Sequence, residues 1–349
     1  MTVFSVSGLE HPIVQAPMGG GASTPALAAA VSGAGGLGFL AAGYKTPDAV
    51  RADIRTVREA TRAQFGVALF VPPADPVADP AAVARYAGTL RGEAERYGVT
   101  AGEPRHDDDG WAAKLELLAA ERVAVVTFTF GCPAPDVVRD LRSAGVATWV
   151  TVTTPAEAVA AQQAGADALV VQGVEAGGHR GSFDDAAPGE IGLLALLQLV
   201  DAAVDLPLIA TGGLATGRAV AAVLVAGAAA AQLGTAFMRT PEAATSAPHR
   251  RALAGDAPTA LTRAFSGRTA RGVVNRFLVE HGPGAPSAYP DVHHVTAPLR
   301  AAARERDDPD GINLWAGQAY PLATEAGAAD LVRTLAAEAR EALRAGAPR

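Results

Sequence analysis

Residues 168–181 read ALVVQGVEAGGHRG, and this stretch combines the features that decide the fold and the site. It begins as a short apolar run, which is typical of a parallel strand covered by helices. Three glycines then surround His179, where a strand of such a sheet would pass into its loop. We therefore predict a buried strand over Ala168–Gln172, followed by a functional loop.

Eight such apolar runs alternate with alanine-rich amphipathic stretches over most of the chain. This alternation predicts the α/β class, and eight strands favour a closed (β/α)8 TIM barrel over a doubly wound sheet. The predicted strands are Ile13–Gln15, Leu37–Ala41, Phe65–Phe70, Val123–Phe130, Thr148–Val152, Ala168–Gln172, Leu206–Thr211 and Ala229–Leu233. The predicted helices are Pro25–Ser32, Thr46–Arg62, Ala81–Tyr97, Trp111–Glu121, Pro135–Ala144, Thr154–Ala164, Gly217–Ala226 and Ala328–Ala345.

Residues 240–321 break this rhythm and are rich in Pro, Gly, Arg and His. We predict that they form a small cap, inserted after strand eight, that contributes to substrate binding. Residues 1–239 and 322–349 then form the cofactor-binding barrel. No linker indicates an independent second domain.

Four side chains of the cap, His281, Tyr289, His293 and His294, could line a pocket. We interpret each of them as a solvated loop residue. A metal site on the two adjacent histidines is excluded, because neighbouring side chains rarely point at one ion. We predict no metal site in this chain.

The composition describes a protein with a large core, since 49% of the 349 residues are apolar and 19% are charged. A net charge of −7 argues against nucleic acid or an anionic membrane as partner, because both need clustered positive charge. No apolar run reaches the roughly 20 residues that span a bilayer, and the N-terminus lacks a secretion signal. Cys132 is the one cysteine, so no internal disulfide can form. We expect a cytoplasmic protein that acts on a small molecule; the oligomeric state stays open, a homo-oligomer included.

Residues 33–38, GAGGLG, match the G-x-G-x-x-G pattern of dinucleotide-binding folds. That pattern requires a strand before it and a helix after it. Here a predicted helix precedes the glycines and a predicted strand follows them. We interpret them as the end of a helix and a tight turn, and we reject a Rossmann domain.

Two further loops predict a phosphate site. Thr211-Gly212-Gly213-Leu214 follows strand seven, and strand eight runs into Gln232-Leu233-Gly234-Thr235. Backbone N–H groups of these two loops, with a helix N-terminus, are the usual phosphate cradle of such barrels. We expect the helix Gly217–Ala226, or a short extra helix before it, to supply that N-terminus.

After strand one, Pro17-Met18-Gly19 offers an apolar platform, because a thioether packs well on a flat ring system. Gly177 and Gly178 let the backbone approach a planar ligand closely. His179 can act as acid or base, since its ordinary pKa is about 6.5. Together with the phosphate loops, these residues predict an FMN site in which the flavin carries the redox chemistry.

These segments resemble the nitronate monooxygenases, formerly called 2-nitropropane dioxygenases, over almost the whole chain. The match of residues 172–181 is highly specific. Residues 210–214 (ATGGL), 232–235 (QLGT) and 266–271 (SGRTAR) also resemble family segments. The resemblance implies that His179 is catalytic. It also implies that FMN is held by Gln172, Gly177, Gly213 and residues 232–235.

The resemblance further implies oxidation of alkyl nitronates, propionate 3-nitronate among them, by O2 to a carbonyl compound and nitrite, without NAD(P)H as reductant. One position departs from the family, in which strand three usually reads Gly-Val-Asn-Leu-Phe. Here Ala68 replaces the asparagine whose amide normally reaches the flavin. A methyl group neither donates nor accepts a hydrogen bond. FMN would therefore be held by the remaining contacts, without a hydrogen bond from residue 68.

Two alternatives stay open. An FMN-dependent enoyl or quinone reductase would share the fold and a glycine-flanked histidine, but would take hydride from NAD(P)H. Residues 266–271 and the WAGQ segment at 315–318 favour the monooxygenase. A barrel that binds flavin or phosphate without catalysis is the other alternative, which the retained His179 disfavours.

Overall fold

The eight predicted strands form one parallel sheet in the computed structural model, which describes residues 3–73 and 79–346. They are β1 (Ile13–Gln15), β2 (Gly38–Ala41), β3 (Phe65–Phe70), β4 (Val125–Thr129), β5 (Ala147–Val152), β6 (Ala168–Gln172), β8 (Leu208–Thr211) and β9 (Ala230–Leu233). β9 pairs with β1, and hydrogen bonds from Gln15 N to Leu37 O (2.9 Å) and from Leu37 N to Ile13 O (3.0 Å) join β1 to the start of β2. The sheet therefore closes, and the predicted (β/α)8 TIM barrel is confirmed.

Large side chains fill the inside of the barrel. Val14, Phe39 and Trp149 are at most 1% exposed, and the rings of Phe39 and Trp149 lie 5.6 Å apart. Phe4 of the N-terminal segment packs on Trp149 at 6.2 Å between ring centroids. The barrel is thus a packed core rather than a channel. A ligand site is left to the loops at the carboxyl ends of the strands.

Thirteen helices are described, and several begin at a proline that follows a capping threonine. Thr24, Thr46 and Thr154 each accept a hydrogen bond from the N–H three residues on, which satisfies a free donor of the first turn. The helices are α1 (Pro25–Gly33), α2 (Pro47–Ala60), α3 (Pro80–Thr89), α4 (Arg91–Tyr97), α5 (Trp111–Glu121), α6 (Pro135–Ser143), α7 (Pro155–Ala164), α8 (Leu193–Asp201), α9 (Gly217–Val225), α10 (Ala247–Ala252), α11 (Arg276–His281), α12 (Asp291–Glu305) and α13 (Ala328–Ala345).

Two helices differ from the prediction. The single predicted helix over residues 81–97 is two helices, α3 and α4, which meet at Leu90. α8 was not predicted, although its leucines form the most apolar run of the chain. Leu196, Leu197 and Val200 of α8 are fully buried, so this run is the inner face of a barrel helix. Among the described residues, no helix combines the length and apolarity needed to cross a membrane.

The rejection of a Rossmann domain is confirmed. Gly33 is the last residue of α1, and β2 begins at Gly38. The glycines between them form the turn from a helix into a strand. Gly35 has φ +88°, a conformation that L side chains rarely adopt.

Residues 240–321 contain regular structure of their own after β9. α10, α11 and α12 lie in this segment, together with β10 (Thr259–Thr262) and β11 (Ala270–Val273). β11 pairs antiparallel with β10 on one side and with β7 (Gly178–His179) on the other, which places Ala270 opposite His179. The segment is therefore hydrogen-bonded to the loop that follows β6, and neither the small sheet nor β7 was predicted.

We expect Gly217→Ala to lower the free energy of unfolding by about 1–3 kcal/mol, because overpacking strains a tight interface. An added Cβ would overlap Glu338 Cβ and lie 2.6 Å from Leu335 O, where α9 packs on α13. Gly88→Ala in α3 is the matched control, since its Cβ would meet nothing within 4 Å and alanine favours a helix. Urea denaturation of both variants measures the difference; equal stabilities would contradict this account of the packing.

Candidate active site

A cavity of about 400 Å³ opens at the carboxyl ends of the barrel strands, and it has the volume of a small-molecule site. Loops that are far apart in the sequence meet there. Every residue predicted to be catalytic or cofactor-binding lines this cavity: Pro17, Met18, Gly19, Ala68, Gln172, Gly177, Gly178, His179, Gly212, Gly213, Gln232, Leu233, Gly234 and Thr235. The group that they hold stays a prediction.

His179 lies on β7 in a largely aromatic environment. The centroids of the Trp315 and Phe130 rings are 5.2 Å and 5.8 Å from that of its imidazole, and both rings meet it edge-on. Its one polar side-chain partner among the described residues is Ser266, whose Oγ is 2.8 Å from Nε2. The ring is therefore fixed by one hydrogen bond from the segment that follows β10.

Burial lowers the pKa of His179 from its ordinary value to about 3. The positive charge of Arg268 acts in the same direction, Asp185 opposes it, and Arg300 makes a smaller contribution of the same sign as Arg268. The imidazole is thus neutral at physiological pH. A neutral imidazole has one N–H and one free lone pair, so it can donate a hydrogen bond and accept a proton.

Two other histidines line the cavity, and both are also neutral. Burial lowers the pKa of His249 to about 4 and that of His293 to about 2. His249 Nε2 donates to Trp315 O at 3.0 Å, which fixes its tautomer because a carbonyl only accepts. Any positive charge at this cavity therefore comes from arginine.

The loop that carries His179 is fixed from the inside by Arg180, which is 1% exposed. Its guanidinium donates to Gln172 Oε1 at 3.0 Å and to Gly173 O at 2.6 Å. Gln172 Nε2 donates to His179 O (3.0 Å), and Gln172 Oε1 also accepts from Gly181 N (2.8 Å). Gln172 and Arg180 thus hold the backbone on both sides of the imidazole. Arg180 was not predicted as a site residue, because an arginine between a histidine and a glycine has the pattern of an exposed loop residue.

A second contact closes the loop at Gly177. A Cβ on Gly177 would lie 2.5 Å from the carbonyl carbon of Ala316, so only glycine permits this approach of two backbones. The neighbouring Gly317 N donates to Thr235 Oγ1 at 3.0 Å. Residues 315–318 therefore contact both the loop after β6 and the loop after β9, and they connect these two loops at the cavity.

The loops after β8 and β9 form another part of the cavity. Gly212 and Gly213 have φ of +118° and +69°, which favour glycine. One 3₁₀ turn, Thr235–Phe237, starts directly after β9, so a short extra helix is present at this site, although it follows β9 rather than preceding α9. Gln232 Nε2 is buried and has no hydrogen-bond partner among the described residues. A buried donor without a partner is costly, so a ligand acceptor would be favourable here.

The wall formed by β1 and β3 is apolar. Met18 is half-buried, and its N–H donates to Ser23 Oγ at 2.8 Å. A Cβ added to Gly234 would lie 3.8 Å from the Met18 sulfur, so the thioether covers the loop after β9. Ala68 is 6% exposed and presents a methyl group to the cavity.

The assignment of four cap side chains to solvated loops is wrong, because none of them is exposed. His293 and His294 lie on α12. His293 stacks on Tyr44 with ring centroids 4.1 Å apart, and His294 Nε2 is 2.9 Å from Asp107 Oδ2. The ring of Tyr289 lies 6.4 Å from the imidazole on β7. The prolines of this region made a buried helix look like a loop.

The fourth of these side chains, His281, ends α11 beside a buried carboxylate. Among the described residues, Glu93, Glu280 and His281 lie close enough to share a metal ion. Arg276 Nη1, however, is 2.5 Å from Glu93 Oε1 and 2.7 Å from Glu280 Oε2. A guanidinium already balances these carboxylates, so the cluster is an ion-pair network between α4 and α11.

The chain is similar to proteins of one family along nearly its entire length. A family model described as nitronate monooxygenase matches residues 2–338. A protein from Pseudomonas aeruginosa named nitronate monooxygenase is 44% identical over 345 residues, which cover 95% of this chain and 97% of that protein.

Solved structures extend this similarity to three dimensions. The nitroalkane oxidase from Streptomyces ansochromogenes is 52% identical, with a TM-score of 0.95 over 98% of this chain and 99% of that one. FabK from Thermotoga maritima is 26% identical, with a TM-score of 0.74 over 97% and 96% of the two chains. With the barrel and the cavity at its carboxyl face, these matches lead to one conclusion. The chain is an oxidoreductase and belongs to the nitronate monooxygenase family.

Proposed function

We propose that this protein binds FMN in the cavity and oxidises alkyl nitronates with O2 to a carbonyl compound and nitrite. The observation that carries the proposal is a neutral, half-buried imidazole, His179, in the wall of a cavity whose other loops have the features of a phosphate site. The names of the Pseudomonas and Streptomyces relatives support this reaction class.

The residues present fit FMN. The glycines after β8 have backbone angles that suit a phosphate cradle, and Gln232 Nε2 lacks the acceptor that a flavin would supply. Met18 and Ala68 give an apolar wall on which a flat ring system can pack. When bound, FMN supplies the chemistry that takes electrons from the substrate and passes them to O2.

His179 would act on the substrate through its second ring nitrogen. Nε2 is engaged with Ser266 Oγ, whereas Nδ1 has no hydrogen-bond partner among the described residues. With Nδ1 protonated, the ring can donate a hydrogen bond to a nitronate oxygen. With Nδ1 unprotonated, it can remove the carbon-bound proton of a neutral nitroalkane only if the nitronate that forms stabilises the imidazolium, because a pKa near 3 otherwise makes the ring a weak base. In the overall conversion, two nitronates react with one O2: each carbon gains one oxygen atom, each C–N bond breaks, and two nitrite ions leave.

We expect His179→Asn to lower nitrite formation by about 100-fold or more, since positioned acid–base groups contribute about that much. Oxygen uptake and nitrite release with a panel of alkyl nitronates measure the effect, after FMN content has been checked by absorbance. His106→Asn is the control, because His106 is exposed and does not line the cavity. Unchanged turnover in a His179→Asn protein that retains FMN would contradict the role assigned to this residue.

His179 should stay neutral from pH 8 down to about pH 5, because burial and Arg268 hold its pKa near 3. Protonation would require acid well below the ordinary range of a histidine, so we expect no charge change near pH 6.5. Ring ¹⁵N shifts of the FMN-loaded protein, assigned with His179→Asn, test this. A titration of that ring between pH 6 and 7 would show that the site is more solvated than its geometry indicates.

The alternative from the sequence, an FMN-dependent enoyl or quinone reductase that uses NAD(P)H, is the second candidate for this barrel. We expect NADH to leave the flavin oxidised when it is mixed anaerobically with the FMN-loaded protein. An alkyl nitronate should reduce the flavin under the same conditions. The absorbance of the oxidised flavin distinguishes the two candidates. Rapid loss of this absorbance on addition of NADH would favour the reductase.

A further inference from the structure

A buried guanidinium lies in the wall of the same cavity as His179. Arg300, on α12, lines the cavity and is only 7% exposed. Burial lowers its pKa to about 10, which still leaves it charged at neutral pH. Sequence reasoning gave no indication of this residue.

The protein partners of Arg300 are all neutral. Its Nε donates to Thr296 Oγ1 at 3.0 Å, Nη2 donates to His293 O at 3.0 Å, and Nη1 is 3.4 Å from Asn313 Oδ1. Within the described residues, no carboxylate lies within 4.0 Å of its guanidinium. His293, beside it, is neutral as well. The charge of Arg300 therefore has no counter-ion among the residues that the structure describes.

Other buried cations in this chain differ from Arg300, because they either have a carboxylate partner or do not line the cavity. Lys114 is 1% exposed, but its Nζ is 2.8 Å from Asp109 Oδ2. Arg180 has no carboxylate partner in the described part of the chain either, but it donates to several main-chain carbonyls and does not line the cavity. Arg268 donates to Ser182 O, covers the Phe130 ring at 4.1 Å and does not line the cavity. Arg300 alone in this comparison combines burial, a missing counter-ion and access to the cavity.

A buried charge is costly unless an opposite charge or strong hydrogen bonds compensate it. A cavity-lining cation with neutral protein partners is compensated when the ligand carries the negative charge. Guanidinium groups suit this task, because their planar N–H fork matches two oxygens in one plane. The nitro end of a nitronate is a planar group of that kind.

We propose that Arg300 is the counter-ion of the substrate: its guanidinium binds the two oxygens of the anionic nitronate and selects this anion over the neutral nitroalkane. The identity of the anion rests on the proposed function, whereas the anion site itself rests on Arg300. His179 and Arg300 then have separate tasks. The imidazole handles a proton or a hydrogen bond, and the guanidinium supplies the charge that positions the substrate.

Nitrate tests the site directly, because it is a planar anion that the enzyme does not turn over. We expect Arg300→Gln to weaken nitrate binding to the FMN-loaded protein at least tenfold, measured by calorimetry and by the flavin difference spectrum. Arg300→Lys keeps the charge without the planar fork, so its affinity should lie between those of the wild type and the glutamine variant. Arg333→Gln, an exposed position on α13, is the control and should bind nitrate like the wild type.

Kinetics give the second measurement. The KM for an alkyl nitronate should rise at least tenfold in Arg300→Gln, with a smaller change in kcat, while turnover of the neutral nitroalkane changes little. Equal nitrate affinity in the glutamine and lysine variants, or no nitrate binding by the wild type, would overturn the proposal. Both variants must first contain FMN at wild-type stoichiometry, which shows that they fold.

The two proposals fail in different ways. A wild-type protein that does not oxidise nitronates, but whose nitrate affinity depends on Arg300, would refute the proposed function and keep the anion site. A protein that loses turnover in His179→Asn, but binds nitrate and nitronate normally in Arg300→Gln, would keep the function and refute the role of Arg300.

Discussion

The guanidinium of Arg180 is surrounded by carbonyl oxygens inside the protein, and the reacting loop depends on this arrangement. Hydrogen bonds from a cation to carbonyl groups are stronger than those between neutral groups. The guanidinium binds the main chain at Gln172 and Gly173 as well as the Gln172 side chain. The side chain of Gln172 in turn binds His179 O and Gly181 N, so these hydrogen bonds fix the backbone conformation of the loop. That conformation brings residues 178–179 beside β11.

The fold could be predicted because the same pattern, an apolar strand followed by an amphipathic helix, recurs along the chain. Each barrel strand is a buried apolar run, and parallel strands bring their following loops to one face. The glycine-rich loops after β1, β6, β8 and β9 could therefore be placed at one cavity without a structure. α8 was not predicted, because its almost wholly apolar sequence lacks the amphipathic alternation that indicates the other helices.

The rest of the site could not be read from the sequence, because its residues act through contacts between distant segments. Tyr44 stacks on His293 of α12, and Ser266 meets His179 across 87 residues of chain. Arg180 and Arg300 have no local signal, since arginines are usually exposed and only tertiary packing buries them. These residues also set the electrostatics of the cavity. Burial keeps its histidines neutral, while the Arg300 guanidinium on α12 keeps a positive charge in the wall of the same cavity.

The two-residue strand β7 has a consequence for how the protein becomes active. All eight barrel strands are complete once residue 233 has been synthesised. The partners of His179, however, are Ser266, the strand β11 and Trp315, all of which come later in the chain. These three contacts of His179 are thus all made by segments that follow the last barrel strand in the sequence. A chain that ended after β9 would contain all eight barrel strands but none of these three contacts, which orient the imidazole.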